Sequence, residues 1–583
     1  MKHGKIALVL RMASSKTYRL KEAISESVSL AFGDLSLLQK QLLFNRGIVS
    51  KEEADTFLSP NYDTQLHDPF LMTDMGCAVE RVLTAIKNEE HVVIYSDYDC
   101  DGIPGAVALH DFFTAIEFSN FENYIPDRHF EGFGVSEKAI AGFKERGVTL
   151  MITIDCGTAS VEQVKAANAA GIDVIITDHH EPGEVLPPAY AFLNPKRDDA
   201  YPFKGLCGAG VVFKLIQALI VEGNKQQVFD FKPGQEKWLL DMVGLATIAD
   251  MVPLHGENRV FANFGLQVLR KSRRPGLKQL LRKARADQRY LTEDDIGFTI
   301  GPRINAASRM DTPMDAFHML ATKDEVDAGA RVLRLESLNN ERKGIVAAMS
   351  KELKKRLESL EVIPNVICMG NPEWKPALVG LAANSLVDTY QRPVFLWGRD
   401  GNGVIKGSCR SEGTTSVITL MEGARAHFIE FGGHHGSGGF SVEDARIHTI
   451  ADEINRAYEE LGQKAAVSGD YFLDADLMLE DIDSVLLRSL RTLAPFGEGN
   501  EKPLFRFKGV MPHEVQVFGK AKEHMKLVFE RERGTIDAIA FFTQPEHFAC
   551  VPETGKECTL IAHVEESFFM NRRQTRLRIV DIV

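Results

Sequence analysis

Residues 92–102 read VVIYSDYDCDG, an apolar run that ends abruptly in three aspartates, Asp97, Asp99 and Asp101. The same pattern returns in LMITIDCGT (150–158) and in VIITDHH (174–180). Short apolar runs separated by helical stretches are typical of a mostly parallel sheet with helices on both faces. Because the carboxyl ends of parallel strands lie along one edge of a sheet, we expect the acids and histidines that follow these strands to converge there.

A fourth acid, Asp250, follows the apolar stretch GLATIA (244–249), and we expect it at a strand end of the same sheet. Few lysines or arginines stand beside these carboxylates in the sequence, and unpaired buried carboxylates are costly. The cluster therefore predicts bound divalent cations. Oxygen-rich ligand sets with one or two imidazoles suit Mn²⁺ or Mg²⁺. Two such ions about 3.5–4 Å apart assist displacement at phosphorus, so phosphoester hydrolysis is the first hypothesis.

Each motif taken alone has a simpler interpretation. DYDCDG is similar to the start of a calcium loop, but it lacks the glutamate that closes such a loop. Asp155 before a glycine is also typical of a turn, and His179 and His180 are also typical of surface histidines at a strand end. The recurrence of these motifs in one domain favours a shared site.

Composition and charge bound the class of protein. The chain has 583 residues, 44% of them hydrophobic and 26% charged, which indicates a folded, multi-domain protein. Its net charge of −13 argues against coating nucleic acid by overall charge. No apolar run is long enough for a membrane span, and we expect a soluble, cytoplasmic chain with scattered, reduced cysteines and no structural zinc.

Hydrophobic patterning predicts five segments. They are an N-terminal helical segment (1–75), a parallel-sheet α/β domain (76–325), a long connector helix (326–362), a second α/β domain (363–463) and a C-terminal β-barrel (464–583). The connector helix is predicted from apolar residues at spacings of three and four, namely Val346, Met349, Leu353, Leu357 and Leu360.

The motifs together resemble a known family. In order, DYDCDG, IDCGT, DHHE, GLATIADMVPL and RINAASR, followed by a glycine-rich GGH, resemble the DHH phosphoesterase superfamily. The helical segment and LAPFGEGNEKPLF (493–505) extend the resemblance to its single-stranded-DNA-specific exonucleases, from about residue 35 to near the C-terminus. This implies a DHH catalytic domain, a DHH-associated domain and an OB-like barrel. It also implies 5′-to-3′ hydrolysis of single-stranded DNA to mononucleotides in repair and recombination.

The resemblance also implies roles for individual residues. Two Mn²⁺ or Mg²⁺ ions, with Mn²⁺ favoured, would be held by Asp99, Asp101, Asp155, His179 and Asp250. Asp97 would act at the site as a ligand or by orienting water, and His180 as a donor to the phosphate or leaving group. Tyr95 stands where some relatives have a histidine.

Further residues are candidates for holding phosphate or DNA. Arg303, Asn305 and Arg309 offer cationic and amide donors, or neutralise the acids instead. In the DHH-associated domain, we predict a phosphate-binding loop region that consists of Ser408, Arg410, Gly433 and His434. The basic run 270–289 indicates a solvated helix face or a guide for DNA. In the barrel, the candidates for contacting a single strand are Phe496, Phe505, His524, Lys526, Phe568, Arg572, Arg573 and Arg576. We expect most of the aromatic residues of the barrel to lie in its hydrophobic core instead.

Two alternatives stay open at this point. One is a DHH phosphodiesterase of short oligoribonucleotides or cyclic dinucleotides, and the other is a non-catalytic nucleic-acid scaffold. The C-terminal barrel favours a long-strand substrate and argues against the phosphodiesterase of short substrates. The intact acids argue against the non-catalytic scaffold. The expected partner is single-stranded DNA, with a single-strand-binding protein and a helicase as further candidates. We expect a monomer that does not bind membranes.

Overall fold

The computed structural model describes residues 17–462, 470–519, 522–569 and 572–583. The chain divides into two compact units. The first unit combines residues 1–66, 251–263 and 467–583, and the second combines residues 67–250 and 264–466. The predicted metal ligands and phosphate contacts therefore lie in the second unit, and the barrel candidates for binding DNA lie in the first.

The helices are α1 (Glu26–Ala31), α2 (Leu37–Phe44), α3 (Lys51–Leu58), α4 (Met75–Lys87), α5 (Gly102–Ala115), α6 (Glu137–Glu145), α7 (Val161–Ala169), α8 (Gly208–Lys225), α9 (Leu240–Ala249), α10 (Gly256–Leu269), α11 (Pro275–Ala284), α12 (Glu293–Asp295), α13 (Gly301–Met310), α14 (Met314–Ala321), α15 (Glu325–Glu358), α16 (Pro376–Tyr390), α17 (Val417–Gly423), α18 (Ile450–Glu460) and α19 (Ser484–Leu493). The strands are β1 (Thr17–Leu20), β2 (His91–Ser96), β3 (Phe121–Tyr124), β4 (Val148–Ile154), β5 (Asp173–Thr177), β6 (Ala191–Leu193), β7 (Ile367–Gly370), β8 (Val394–Arg399), β9 (Ile405–Arg410), β10 (Glu430–Gly433), β11 (Ser437–Val442), β12 (Asp470–Leu473), β13 (Ala475–Asp476), β14 (Phe505–Val510), β15 (Pro512–Phe518), β16 (His524–Arg531), β17 (Gly534–Ala540), β18 (Cys558–Phe569) and β19 (Arg572–Ile582).

A five-stranded parallel sheet forms the centre of the second unit, as the βαβ pattern predicts. Its strand order is β3-β2-β4-β5-β6, and every neighbouring pair is parallel. Alternate residues of β2, such as Val93 and Tyr95, pack with α6 and α7 on one face. Both faces are buried, which explains why these strands are almost wholly apolar.

The register of this sheet aligns the strand ends that carry the acids. Ser96 pairs with Ile154, and Ile154 pairs with Thr177, so these three residues form one row across the sheet. The next residue on each strand is Asp97, Asp155 or Asp178. The three aspartates therefore emerge side by side at the carboxyl edge.

The connector helix α15 joins this domain to the second α/β domain. Its interior apolar residues Met349, Leu353 and Leu357 are buried as predicted, but the helix ends at Glu358, and Leu360 lies beyond it and is 43% exposed. The second domain contains a mixed sheet of order β10-β11-β9-β8-β7, with α17 and α18 packed on a core that includes Phe395.

The first unit surrounds a second hydrophobic core. The C-terminal strands form a mixed sheet of order β13-β14-β18-β19-β17-β16-β15, as predicted for a small barrel. Leu42 and Leu43 of α2 belong to the same core as Phe505 and Phe507 of the barrel, and β1 pairs in parallel with β12. The N-terminal helices are thus part of the barrel's compact unit rather than a unit of their own. The side chains of Phe568 and Arg572 lie outside the described residues.

Within the described ranges, every helix is too short or too polar to cross a lipid bilayer.

The basic run 270–289 is divided between buried and exposed cations. Arg274 is 8% exposed, donates to both carboxylate oxygens of Asp241 at 2.7 and 3.0 Å, and lies 2.7 Å from Asp111. Arg273, by contrast, is exposed. The prediction of a solvated face is therefore wrong for Arg274, because two acids from other helices neutralise it inside the domain.

We expect Arg274→Gln to destabilise the protein by about 3–5 kcal/mol, because two carboxylates would lose their buried cation. The matched control Arg273→Gln should change the free energy of unfolding by less than about 0.5 kcal/mol. Urea denaturation followed by circular dichroism measures both variants. Equal stability of the two variants would contradict this account of the ion pair.

Candidate metal centre and phosphate pocket

The acids predicted to converge come from three kinds of element. Asp97 and Asp155 directly follow strands β2 and β4, and Asp101 is the residue before α5. Asp250 follows helix α9, so its predicted place at a strand end is wrong. Residues 240–247 of α9 are all buried, and a helix that is apolar all round has the same local pattern as a buried strand.

The structure brings these side chains together in groups of three. In one group, the ligand atoms of Asp97, Asp99 and Asp155 all lie within 4.8 Å of one another, and those of Asp101, His179 and Asp250 form a second such group. Asp155 also lies beside the second group, because its Oδ1 is 3.2 Å from Nε2 of His179. Its carboxylate therefore lies beside both groups of potential ligands.

Crowding makes these carboxylates hard to ionise. Burial, followed by the charge of Asp99, raises the pKa of Asp101 to about 7. Burial and the charge of Asp101 raise the pKa of Asp250 to about 9. Burial and neighbouring carboxylates also raise the pKa values of Asp97 and Asp155 well above the usual range. A divalent cation would remove this penalty by compensating the charges.

Unused oxygen atoms show that the residues fit a cation. Oδ1 of Asp97 and Oδ1 of Asp155 are buried and accept no hydrogen bond from the described residues. Such atoms are costly unless a bound ion or another ligand contacts them. The two groups named above, made of carboxylate oxygens and one imidazole, match the preferences of Mn²⁺ and Mg²⁺. The ligand atoms of Asp155, His179 and His180 form a third such group.

The pKa values of the two histidines are shifted in opposite directions. Burial, followed by the charge of His180, lowers the pKa of His179 to about 4, so its imidazole is neutral at pH 7 and able to bind a metal. For His180, burial opposes protonation, but a 2.7 Å hydrogen bond with Asp178 and the charge of that carboxylate raise the pKa. His180 is thus suited to donate a proton or a hydrogen bond.

Two glycines allow helices to approach the acids. A Cβ at Gly208 would lie 2.5 Å from Cβ of Asp155, and one at Gly102 would lie 2.5 Å from the backbone oxygen of Asp97. Because α8 comes so close, its first amides, those of Gly208 and Ala209, donate to Asp101 at 2.6 and 2.8 Å. Backbone donors at a helix N-terminus thereby hold one carboxylate in place.

Tyr95 does not lie among the acids. Its hydroxyl donates to the backbone oxygen of Gly134 at 2.9 Å and accepts from the amide of Ser136 at 3.1 Å. The side chain is fully buried in the core between the sheet and α6. The position that carries a histidine in some relatives therefore supports a neighbouring loop in this chain.

Cations gather beside the acids. Burial and the charges of Arg128 and Arg342 lower the pKa of Arg309 to about 9, and Arg410 contributes in the same direction. Arg128 stacks over the ring of Tyr98 at 4.7 Å, and neither it nor Arg309 or Arg410 forms an ion pair with an acid among the described residues. Convergent cations that form no ion pair among the described residues predict a bound anion.

The second α/β domain completes this pocket. Arg410 donates to Oγ of Ser408 at 2.7 Å, and Arg309 donates to the backbone oxygen of Ala377 at 2.6 Å. His434 lies close enough to His179 for its charge to lower the pKa of that residue. Of the predicted residues, Arg309, Ser408 and Arg410 thus lie near one another, whereas His434 is placed only relative to His179. We define the phosphate pocket as Arg128, Arg309, Ser408 and Arg410.

Other predicted residues lie differently. Arg303 forms an ion pair with Glu336 of the connector helix at 2.6 Å, so its cation is already neutralised. Oδ1 of Asn305 is buried without a hydrogen bond from the described residues. Gly433 has a φ of 143°, and a Cβ there would meet the oxygen of Ser437 at 2.4 Å, so it shapes the turn that carries His434.

Arg128 is the functional candidate that sequence reasoning missed. It stands in PDRHFEGFG (126–134), after β3, and no acid motif adjoins it. The combination of an arginine with two glycines in a short loop was the available signal.

We expect Gly208→Ala to lower the rate of metal-dependent phosphoester hydrolysis about 100-fold, because the new methyl group would displace Asp155 by a fraction of an ångström or more. The rise in melting temperature on adding Mn²⁺ should also be lost. Gly210→Ala is the matched control, since a Cβ there meets its neighbours at an ordinary 3.5 Å or more. Mn²⁺ stabilisation of Gly208→Ala equal to that of Gly210→Ala would refute the proposed geometry.

Three family models match successive parts of the chain. The DHH family N-terminal domain matches residues 91–247, the DHHA1 domain matches residues 361–465, and the RecJ OB domain matches residues 473–581.

Curated relatives match over nearly the whole chain. The single-stranded-DNA-specific exonuclease RecJ of Bacillus subtilis is 34% identical over 551 residues, which are 93% of this chain and 67% of the relative. The protein of the same name from Salmonella typhimurium is 31% identical over 589 residues, 98% of this chain and 100% of the relative.

Solved structures agree with this result. RecJ from Thermus thermophilus in complex with Mn²⁺ has the same fold, with a TM-score of 0.80 and 24% identity over 97% of this chain and 79% of that one. An exonuclease RecJ bound to manganese has a TM-score of 0.57 and 28% identity, and covers 66% of this chain and 95% of its own. On its sequence, its domains and its fold, this chain belongs to the RecJ family of single-stranded-DNA-specific exonucleases.

Proposed function

We propose that this chain removes mononucleotides from the 5′ end of single-stranded DNA by hydrolysis assisted by two divalent cations. The observation that carries the proposal is the proximity of two opposite clusters. Crowded carboxylates lie beside guanidinium groups that form no ion pair among the described residues. Arg128 lies over the ring of Tyr98, which stands between Asp97 and Asp99, and the charge of Asp99 raises the pKa of Arg309 against the larger effect of burial. Such a pair of clusters suits a substrate that presents one phosphate to the arginines and the neighbouring phosphodiester to the metal ions.

The protein residues would hold the cations in two sets. Asp97, Asp99 and Asp155 would hold one ion, and Asp101, His179 and Asp250, with Asp155, the other. When bound, such a pair supplies an activated water and neutralises charge on the phosphodiester. The amides of Gly208 and Ala209 orient Asp101, and the neutral imidazole of His179 presents Nε2 to the same site.

His180 supplies a proton or a hydrogen bond to the reacting phosphate. Asp178 accepts from its Nδ1 at 2.7 Å and also from the amides of His179 and His180, at 2.7 and 3.2 Å. Burial alone would raise the pKa of Asp178, but the hydrogen bond and charge of His180 hold it below the usual range. Asp178 thus favours the protonated form of His180 and fixes the orientation of its ring.

Polarity and DNA preference come from the resemblance, and the phosphate pocket adds a physical reason for binding a strand by a terminal phosphate. A 5′-terminal phosphate carries more negative charge than an internal one, and unpaired arginines favour it. The OB domain supports long strands over very short oligonucleotides, because such folds track several nucleotides. With this activity, the enzyme would act in DNA repair and recombination.

Several finer expectations remain predictions. They are binding to a single-strand-binding protein and a helicase, a monomeric state and a cytoplasmic location.

We expect Asp155→Asn to abolish Mn²⁺-dependent release of nucleotides from a single strand, because this carboxylate lies beside both groups of ligands. The wild type should degrade the single strand and spare a blunt duplex of the same sequence. Gel analysis of end-labelled DNA measures both. Wild-type rates from Asp155→Asn, or equal attack on the duplex, would overturn the proposal.

We expect Arg410→Gln to raise KM about 10- to 100-fold for a 5′-phosphorylated strand, since a charge-assisted hydrogen bond contributes about 1.5–3 kcal/mol. The effect should be smaller for a 5′-hydroxyl strand. Arg399→Gln is the control, because Arg399 lies in the same sheet and pairs with exposed Asp444. Equal effects of Arg410→Gln on both strands would exclude a pocket for the terminal phosphate.

A further inference from the structure

Asp250 differs from Asp101 in how its carboxylate is held. The amides of Gly208 and Ala209 donate to the carboxylate of Asp101. None of the described residues donates a hydrogen bond to the carboxylate of Asp250, whose Oδ2 lies 3.7 Å from Nε2 of His179. The position of this carboxylate therefore depends on the backbone that carries it.

This backbone leaves α9 in an uncommon conformation. Asp250 caps the helix, and its amide donates to the oxygen of Ala246 at 2.8 Å. Met251 then has a φ of 60°, in the left-handed region that residues with a side chain rarely adopt. The side chain of Met251 is 69% exposed, so its own packing does not hold this conformation. The residues that follow must therefore fix the turn.

The residues that follow belong to the other compact unit. Residues 251–263, which we call the clamped segment, are part of the first unit, whereas residues 67–250 and 264–466 are part of the second. The helices on either side cross closely within the second unit, because a Cβ on Gly265 would lie 2.5 Å from Cα of Gly244. The chain thus leaves the second unit directly after a proposed metal ligand and then returns to it.

A turn of the first unit holds the start of the clamped segment. We call residues 497–500 the glycine turn, in which Gly497 and Asn500 exchange backbone hydrogen bonds at 3.0 and 3.1 Å. The oxygen of Glu498 accepts from the amide of Leu254 at 2.8 Å. Leu254 is 1% exposed, and a Cβ on Gly497 would lie 2.8 Å from its Cδ1. The glycine turn therefore fixes both the backbone and the side chain of Leu254.

The later part of the clamped segment is also anchored in the first unit. Arg259 is buried, lies 3.6 Å from the ring centre of Phe57 and donates from Nε to the backbone oxygen of Phe57 at 2.7 Å. Its Nη2 donates to the backbone oxygens of Thr492 and Ala494 at 3.2 and 3.4 Å. The first unit thus holds the clamped segment at two places.

We infer that the glycine turn positions Asp250 for metal binding, and that Leu254 is the positioning residue that connects the two. Residues that orient metal ligands without touching the ion change metal affinity about 10- to 100-fold. The first unit thus sets the affinity of the group Asp101, His179 and Asp250 for its ion. This inference rests on the proposed function and adds the residues that keep one ligand of its metal centre in place.

Calorimetric titration with Mn²⁺ tests the inference. Wild type should bind two ions, and Leu254→Ala should bind one of them about 10- to 100-fold more weakly while the other keeps its affinity. Leu254→Met, which retains an apolar side chain of similar volume, should restore both affinities. The matched control Leu527→Ala removes an equally buried leucine of the barrel and should bind both ions as wild type does. Circular dichroism shows whether each variant is folded.

A second pair of variants decides the question where Leu254→Ala does not fold. Gly499 and Gly534 have φ of 69° and 84°, so valine is strained at both positions. A Cβ on Gly499 would lie 2.5 Å from the ring of His255 and 3.3 Å from Cβ of Pro253, whereas one on Gly534 meets no described atom within 4 Å. Gly499→Val should therefore weaken the binding of one ion, and Gly534→Val should not.

An Asp250→Asn background separates positioning from a general loss of stability. Removing the charge of Asp250 should itself weaken one ion. Adding Leu254→Ala or Gly499→Val should then weaken Mn²⁺ binding no further, because the ligand that these residues position is already lost.

Three results would overturn the inference. They are folded Leu254→Ala and Gly499→Val proteins that bind both ions as tightly as wild type, equal weakening by the control variants, and a further weakening of full size in the Asp250→Asn background. A wild type that binds no Mn²⁺ would instead reject the proposed function.

Discussion

Mutual repulsion among buried carboxylates is the constraint on which the site depends. Asp97, Asp101 and Asp250 all raise the pKa of Asp155, in addition to the effect of burial. Without cations, several of these groups would hold protons near pH 7, and folding would carry the cost of desolvating the rest. With two divalent ions, the same crowding becomes a set of preorganised ligands. The folded protein holds these carboxylates close together, and this arrangement provides the affinity for the divalent cations that the reaction requires.

The surrounding structure reduces this cost only in part. The first amides of α8 compensate Asp101, and Asp178 is compensated by His180, but oxygen atoms of Asp97 and Asp155 have no protein donor among the described residues. The remaining negative charge faces a pocket of unpaired arginines. Metal ions would thus compensate the carboxylates, and the substrate phosphate would compensate the arginines. This explains why the acids and the arginines lie side by side.

Much of this arrangement was predictable from local sequence. Apolar runs followed by aspartate predicted the parallel strands and the convergence of Asp97 and Asp155, because strand ends share one edge of a sheet. Asp250 was misplaced, since a helix buried on all sides has no amphipathic period. Arg128 was missed, and the ion pair of Arg303 with Glu336 was not predicted, because the partners of these arginines are chosen by tertiary packing. Pairing between residues that are distant in the sequence leaves no signal in a single stretch of it.

Two divalent cations should occupy the crowded carboxyl edge of the sheet. The anomalous X-ray signal of a crystal soaked in Mn²⁺ tests this most directly. We expect two peaks, one among the carboxylates of Asp97, Asp99 and Asp155 and one among Asp101, His179 and Asp250. A crystal with no peak at this edge, or with these side chains turned away from one another, would contradict it.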